Sequence, residues 1–237
     1  MKSKILVLLL GLSCYTFPQQ DIRVISSTQS STIIEYTPIY SDSSFVKIDN
    51  QKFRNATLAF GYLEDNAESG TPAVFERRIP LGVPSETGNT IRVLASSYKE
   101  TSGKVIPVPF YEKDGDLNIP VYKSSSEYFN YKDFPELVSF GDYGISRNLG
   151  IQTIRIFPVK FDVNTNTIRM YKKIVFQIDF ASAQISGKTV EDELLKYSVL
   201  NYNVAKNWIK QDKKLFKVSA TNSVLATGSW IKFEAPE

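Results

Sequence analysis

The chain has 237 residues, enough for one substantial hydrophobic core with a small appendage. Its 13 Tyr and 15 Phe against 2 Met, with abundant Ser, Thr, Val and Ile, favour strands over helices. The formal charge is only +3, and it moves towards neutrality once Lys2 and Lys4 leave with a leader, which argues against a nucleic-acid or polybasic membrane surface.

Met1-Lys2-Ser3-Lys4 followed by Ile5 to Leu12 has the basic start and short apolar run of a secretory signal, too short to span a bilayer in the mature protein. Residues 1–20 are read as that leader, cleaved somewhere from Thr16 to Gln20, so the chain is expected to be exported. Cys14 is the only cysteine. A lipoprotein leader would carry a large aliphatic where Gly11 stands, so Cys14 is expected to leave with the leader, lipidation being the alternative. In either case the exported part has no disulfide.

A β-rich domain is expected over 21–185. Ile22–Ile25 and Ser31–Pro38 read as short strands about a Ser/Thr/Gln turn, and Phe45–Ile48 with Phe53 as a hairpin closed by Asp49-Asn50. Thr57–Leu63 is apolar without a clear period, and Glu64–Gly70 is a polar loop. Thr90–Ala95 is a predicted strand, and the prolines of Val105–Tyr111 confine that run to an edge.

The stretch Leu137–Phe180 carries the clearest periodicity and reads as three strands and two turns. Ile154 and Ile156 share one face with Arg155 on the other, and Pro158 places this strand at an edge or bends it. Asp162–Thr167 is rich in residues that bond their own backbone, which favours a hairpin turn. Ile174, Phe176, Ile178 and Phe180 then alternate with Val175, Gln177 and Asp179, the first set inward. Short strands separated by turn signals predict an antiparallel β-sandwich or partly open barrel. A helical segment is expected over 186–210, with Leu194, Leu195, Tyr197, Leu200, Val204 and Trp208 near helical spacing and Asn201-Tyr202-Asn203 as a break. Residues 211–222 read as a charged linker, and 223–237 as the start of a second β domain, so the chain is read as the front of a longer protein.

There is no histidine. A Cys-His or Ser-His nucleophilic pair cannot be built within these residues, and His-ligated zinc is excluded with it. No Walker loop or GxGxxG fingerprint is present. No catalytic, cofactor-binding or metal-binding residue is therefore assigned, and no cofactor is expected. Glu112, Asp114, Asp116 and Asn118 about Gly115 superficially resemble a calcium loop but lack its later bidentate Glu, which favours a solvated hairpin turn. Asp133 and Glu136 flank Phe134-Pro135 and form an acid pair only on paper; a surface turn is the simpler reading. Tyr122, Tyr128, Phe129 and Tyr131 are either a glycan or peptide platform or a core cluster, the second being the default in so aromatic a chain.

Three blocks carry a family resemblance. Leu137–Phe180, with its Gly-marked turn, Phe-Pro-Val, Asn/Thr turn and final alternating strand, resembles the end of the amino-terminal propeptide-like domain of gingipain-type cysteine peptidases. Glu68–Pro84 is similar to that domain's Gly-x-Pro segment and following Ile-Pro strand. Asn222–Phe233 resembles the stretch after that domain in the family's type IX secretion sortases. The resemblance implies a noncatalytic domain whose parent bears its Cys and His further on. It implies a parent at the cell surface, associated with the outer membrane, that removes carboxy-terminal sorting domains from cargo and joins the cargo to a surface glycolipid. The implied partners are the chain's own downstream catalytic domain, an outer-membrane anchoring protein and cargo bearing sorting domains. A free-standing secreted β-sandwich that binds glycan or protein is the competing reading.

Overall fold

The computed structural model describes residues 21–131, 135–181 and 191–210. The expected leader, Asp133, the linker 211–222 and the expected second β domain 223–237 lie outside the described residues. In chain order the strands are β1 (Ile22–Ser27), β2 (Ser31–Tyr36), β3 (Tyr40–Asp42), β4 (Phe45–Ile48), β5 (Gln51–Arg54), β6 (Thr57–Leu58), β7 (Tyr62–Leu63) and β8 (Phe75–Val83). They continue with β9 (Thr90–Ser102), β10 (Lys104–Val105), β11 (Phe110–Asp114), β12 (Leu117–Val121), β13 (Val138–Ser146), β14 (Leu149–Ile156), β15 (Val159–Asp162) and β16 (Thr167–Asp179). Three short helices, α1 (Ser126–Asn130), α2 (Glu193–Ser198) and α3 (Tyr202–Ala205), and a 3-10 turn at Lys206–Trp208 complete the described part.

Two sheets face each other. In one, β16 pairs with β9 along one side, while β2 and β15 share the other side and β1 lies outside β2. In the second the order is β13-β14-β8-β7. Ile34 and Tyr36 of β2 and Ile174, Phe176 and Ile178 of β16 meet Ile79, Leu81 and Val83 of β8 and Ile154 and Ile156 of β14 between them. Ile174, Phe176 and Ile178 are fully buried, as their alternation requires. Burying each is worth about 1.5–3 kcal/mol before entropy is counted, which fixes the register, since a slip of one residue would turn all of them to solvent. This is the antiparallel sandwich expected from the sequence, with a small carboxy-terminal helical segment.

A second core packs Phe53, Val105, Ile106, Val108 and Tyr128 against Phe161, Ile168 and Met170. Strand β16 serves both cores because a register shift between Tyr171 and Lys173 re-aims it half-way along. At its N-terminal boundary the sandwich is closed by Asp21, which is 3% exposed and accepts from Arg77 Nε at 2.8 Å.

Several expectations change in detail. Leu137–Phe180 contains four strands, because Pro158 breaks the donor pattern after Ile156 and sends the chain from one sheet to the other. The strand before it, β14, is internal and bends out there; it is not at an edge. The predicted strand Thr90–Ala95 runs on to Ser102, held by backbone pairing with β16 although its side chains are mostly exposed. The Asp49-Asn50 turn has both residues at positive φ (46° and 63°), the geometry of a tight two-residue hairpin. The helical segment is broken at Asn201, and Leu194 and Tyr197, expected on its apolar stripe, face solvent, while Leu195, Val199, Tyr202, Ala205 and Trp208 are buried.

Candidate interaction surface

The segment from Gly70 to Asn130 builds a rigid base under an exposed ribbon. Val108 N–H donates to Thr71 O, Gly70 N–H to Val108 O and Ala73 N–H to Ile106 O, each at 2.8 Å. Val105, Ile106 and Val108 are thereby anchored in the second core. On the return side, Ser125 N–H donates to Gly70 O at 3.0 Å, and the buried Tyr128 hydroxyl donates to Val105 O. Burial pushes the Tyr128 phenol well above its ordinary range, so it stays a neutral donor.

Between these anchors β11 and β12 leave the body as a two-stranded ribbon, from Phe110 opposite Val121 to Asp114 opposite Leu117. Gly115 opens the two-residue loop at φ +59°, with space around it on every side. Within the described residues no third strand joins the ribbon, and its side chains are exposed on both faces. Tyr111 is 66% exposed and Leu117 68%, with Ile119 also open to solvent. An isolated hairpin is marginal in water, and apolar side chains held out on one are the usual mark of a contact surface.

Beside the base lies a cleft of about 440 Å³ lined by Glu64, Glu68, Thr71, Glu127, Asn130 and Tyr131. Through Glu64, 3.8 Å from Arg155, the cleft adjoins a charge cluster about the buried Glu76. Glu76, with no exposed surface, accepts from Arg78 Nε at 2.8 Å and from Arg155 Nε, while Arg78 also meets Asp65 at 2.6 Å. Donating hydrogen bonds to Asp65 and Glu76 pushes the Arg78 guanidinium above its already high range, so Arg78 stays charged. Burial raises the Glu64 carboxyl above the usual carboxylate range, against the attraction of Arg155.

The Propeptide_C25 family model matches residues 15–209. The chain belongs to that family. It is a gingipain-like propeptide domain of a C25 cysteine peptidase. The propeptide domain is similar in fold to a chain in the complex of Porphyromonas gingivalis RgpB pro- and mature domains, with a TM-score of 0.63 and 22% identity over 78% of this chain and 99% of that one. It is also similar to a chain from a structure on zymogenic latency of gingipain K from Porphyromonas gingivalis, with a TM-score of 0.52 and 17% identity over 69% of this chain and 94% of that one. No curated protein sequence matches it.

The residues weighed from sequence are dispersed by the fold of this propeptide domain. Glu112 and Asp114 stand opposite Ile119 and Leu117 on one side of the ribbon, Asn118 pairs with Lys113 on the other, and Asp116 is in the loop, so these four do not converge. Among the described residues no group of three or more His, Cys, Asp or Glu is placed to hold a metal. Glu136 is exposed, and its supposed partner Asp133 lies outside the described residues. The aromatic set divides: Tyr128 is core, edge-on to Phe53 and Phe129, while Phe129 is 53% exposed and Tyr122 is also on the surface. Sequence reasoning missed the Glu76 cluster and Asn201. The three successive charges Glu76-Arg77-Arg78 inside an apolar alternation were the available signal for the first.

Proposed function

We propose that this propeptide domain docks on its own downstream catalytic domain through the β11–β12 ribbon and keeps that domain latent until export is complete. The observation that carries this reading is the ribbon itself: a hairpin with a rigid base, exposed apolar side chains on a projecting tip, and no neighbour among the described residues to cover it. A fold similar to one solved in a complex of pro- and mature domains supports an intramolecular partner of this kind. The lack of any histidine in the chain agrees with a domain that acts by contact and leaves chemistry to its parent.

For the parent we propose the type IX secretion sortase PorU, on the resemblance of Asn222–Phe233 and of the Leu137–Phe180 block. The parent would act at the cell surface, held by an outer-membrane anchoring protein, removing sorting domains from cargo. The test has two arms. Separately produced catalytic domain should bind the 237-residue chain without its leader, and Tyr111→Ala with Leu117→Ala should weaken binding at least tenfold without moving the thermal midpoint. Unchanged binding by that double variant refutes ribbon docking. Cells lacking the whole parent should accumulate cargo with uncleaved sorting domains, and normal cargo processing in them refutes the sortase assignment.

A further inference from the structure

The register of the β11–β12 ribbon gives it two unlike faces. Cross-strand partners share a face, so Glu112 lies beside Ile119 and Asp114 beside Leu117 on one, while Tyr111, Pro120, Lys113 and Asn118 occupy the other. The first face is divided lengthwise. Along β12 runs an apolar row, Leu117, Ile119 and Val121, and along β11 an acidic one, Glu112 and Asp114, whose positions are about 7 Å apart. Both carboxylates are exposed, as is Asp116 in the loop beyond them.

On β1–β2 and β9–β16 carboxylates are answered across the ladder. Arg23 stands opposite Glu35 and meets it at 2.9 Å, Arg169 opposite Glu100 at 2.6 Å, and Arg92 reaches diagonally to Asp179 at 3.0 Å. The ribbon forgoes such pairs, although they would stabilise so marginal a hairpin. Among the described ion pairs none includes Glu112, Asp114 or Asp116, and Lys113 belongs to the opposite face from the first two.

The two rows cannot be covered separately. Cβ atoms of cross-strand partners stand about 4.5–5.5 Å apart, so a surface that closes over Leu117 and Ile119 also takes Asp114 and Glu112 out of water. A carboxylate desolvated without a partner opposes the apolar gain. The occupant must therefore bring cations beside its apolar seat.

Resting on the reading that the ribbon docks on the parent's catalytic domain, we propose that the face bearing Glu112, Asp114, Leu117 and Ile119 is the contact face. The catalytic surface that receives it is an apolar strip flanked by lysine or arginine side chains, which pair with Glu112 and Asp114. Cations at strand spacing fix the register of docking as well as its strength. Tyr111 and Lys113 lie on the face turned away from that seat.

Hydrogen exchange over residues 110–121, compared for each variant between the full-length parent and residues 21–237 alone, reads docking apart from folding. At about 0.05 M salt the ribbon should exchange at least tenfold more slowly in the full-length parent, and about 0.5 M salt should remove most of that protection. Leu117→Ser with Ile119→Ser should abolish the protection, and so should Glu112→Lys with Asp114→Lys, β14 and β16 staying unchanged in both. Glu112→Gln with Asp114→Asn should leave the remaining protection insensitive to salt, and Tyr111→Ala with Lys113→Ala should keep it within twofold. Protection that survives both charge reversal and salt overturns the cationic seat and leaves ribbon docking standing. Protection lost with Tyr111→Ala and Lys113→Ala but kept with Leu117→Ser and Ile119→Ser overturns the choice of face in the same way. Equal exchange in the unaltered full-length parent and the isolated chain refutes ribbon docking itself, and this inference with it.

Discussion

Asn201 offers the sharpest test of how the helical segment is joined to the sandwich. Strand β7 pairs with β8 only at Phe75 and Glu76, so among the described residues no strand lies beside Arg77–Val83 on the side of β8 away from β14. The chain after α2 covers this edge instead. Leu200 N–H donates to Pro80 O at 3.1 Å, and the Asn201 side chain imitates a strand, accepting from Gly82 N–H at 2.8 Å and donating to Gly82 O at 2.9 Å. Asn201 has no exposed surface and Gly82 is buried with it. Asn201→Ala would orphan both backbone groups of Gly82, each at about 1–3 kcal/mol, for a loss of about 2–6 kcal/mol. In a domain of this size the thermal midpoint should fall by roughly 5–15 °C. Urea unfolding of residues 21–237 followed by circular dichroism should show a lower midpoint at unchanged slope. A loss under about 0.5 kcal/mol would mean that water replaces the amide, and would refute the account of Asn201 as an edge cap.

Gly82→Ala should destabilise comparably, because its new Cβ would lie 2.4 Å from the Ala205 Cβ, and Ala205→Gly in the same chain should recover part of the loss in the same urea assay. Phe176→Asp puts a carboxylate at a fully buried position between the sheets and should cost several kcal/mol, so an unchanged melting temperature would show the inward face of β16 to be misassigned. Glu64 gives a pH signature. Its carboxyl is raised by burial, so the folded state binds the proton more tightly than the unfolded one, and stability from this group falls as pH rises from its ordinary value through its raised one. Glu64→Gln should therefore be more stable than the parent at pH 7, with the difference gone below about pH 4; a parent more stable at pH 7 would show that the Arg155 attraction outweighs burial.

What the sequence made legible follows from how each element is stabilised. β14 and β16 hold their places by one-sided burial, so Ile154, Ile156, Ile174, Phe176 and Ile178 announce themselves through alternation. The Asp49-Asn50 and Asp162–Thr167 turns were legible through local chemistry, the second because Asp162 Oδ1 accepts from Asn164 N–H at 2.9 Å. The rest depends on distant partners. β9 extends to Ser102 because β16 lends it a ladder of backbone bonds, which leaves no imprint on its side chains. The two Pro158-linked hairpins lie in different sheets, and nothing within Leu137–Phe180 reveals which edge each will find. Asn201 looks like a helix breaker in the sequence, and its role appears only when Gly82, 119 residues away, is beside it.

The ribbon was hard to read for the opposite reason. Along Phe110–Val121 neither face is consistently apolar: one side carries Glu112 and Asp114 opposite Ile119 and Leu117, and the other Tyr111 opposite Pro120 and Lys113 opposite Asn118. Such a pattern gives no inward face, so the natural sequence reading is a solvated turn. Yet apolar residues spread over both sides of a hairpin are a signal in themselves, since a strand that stabilises its own fold concentrates them on one. Tyr111 and Leu117 contribute nothing to the three cores of this domain, and their exposure is accounted for once a second surface closes over them.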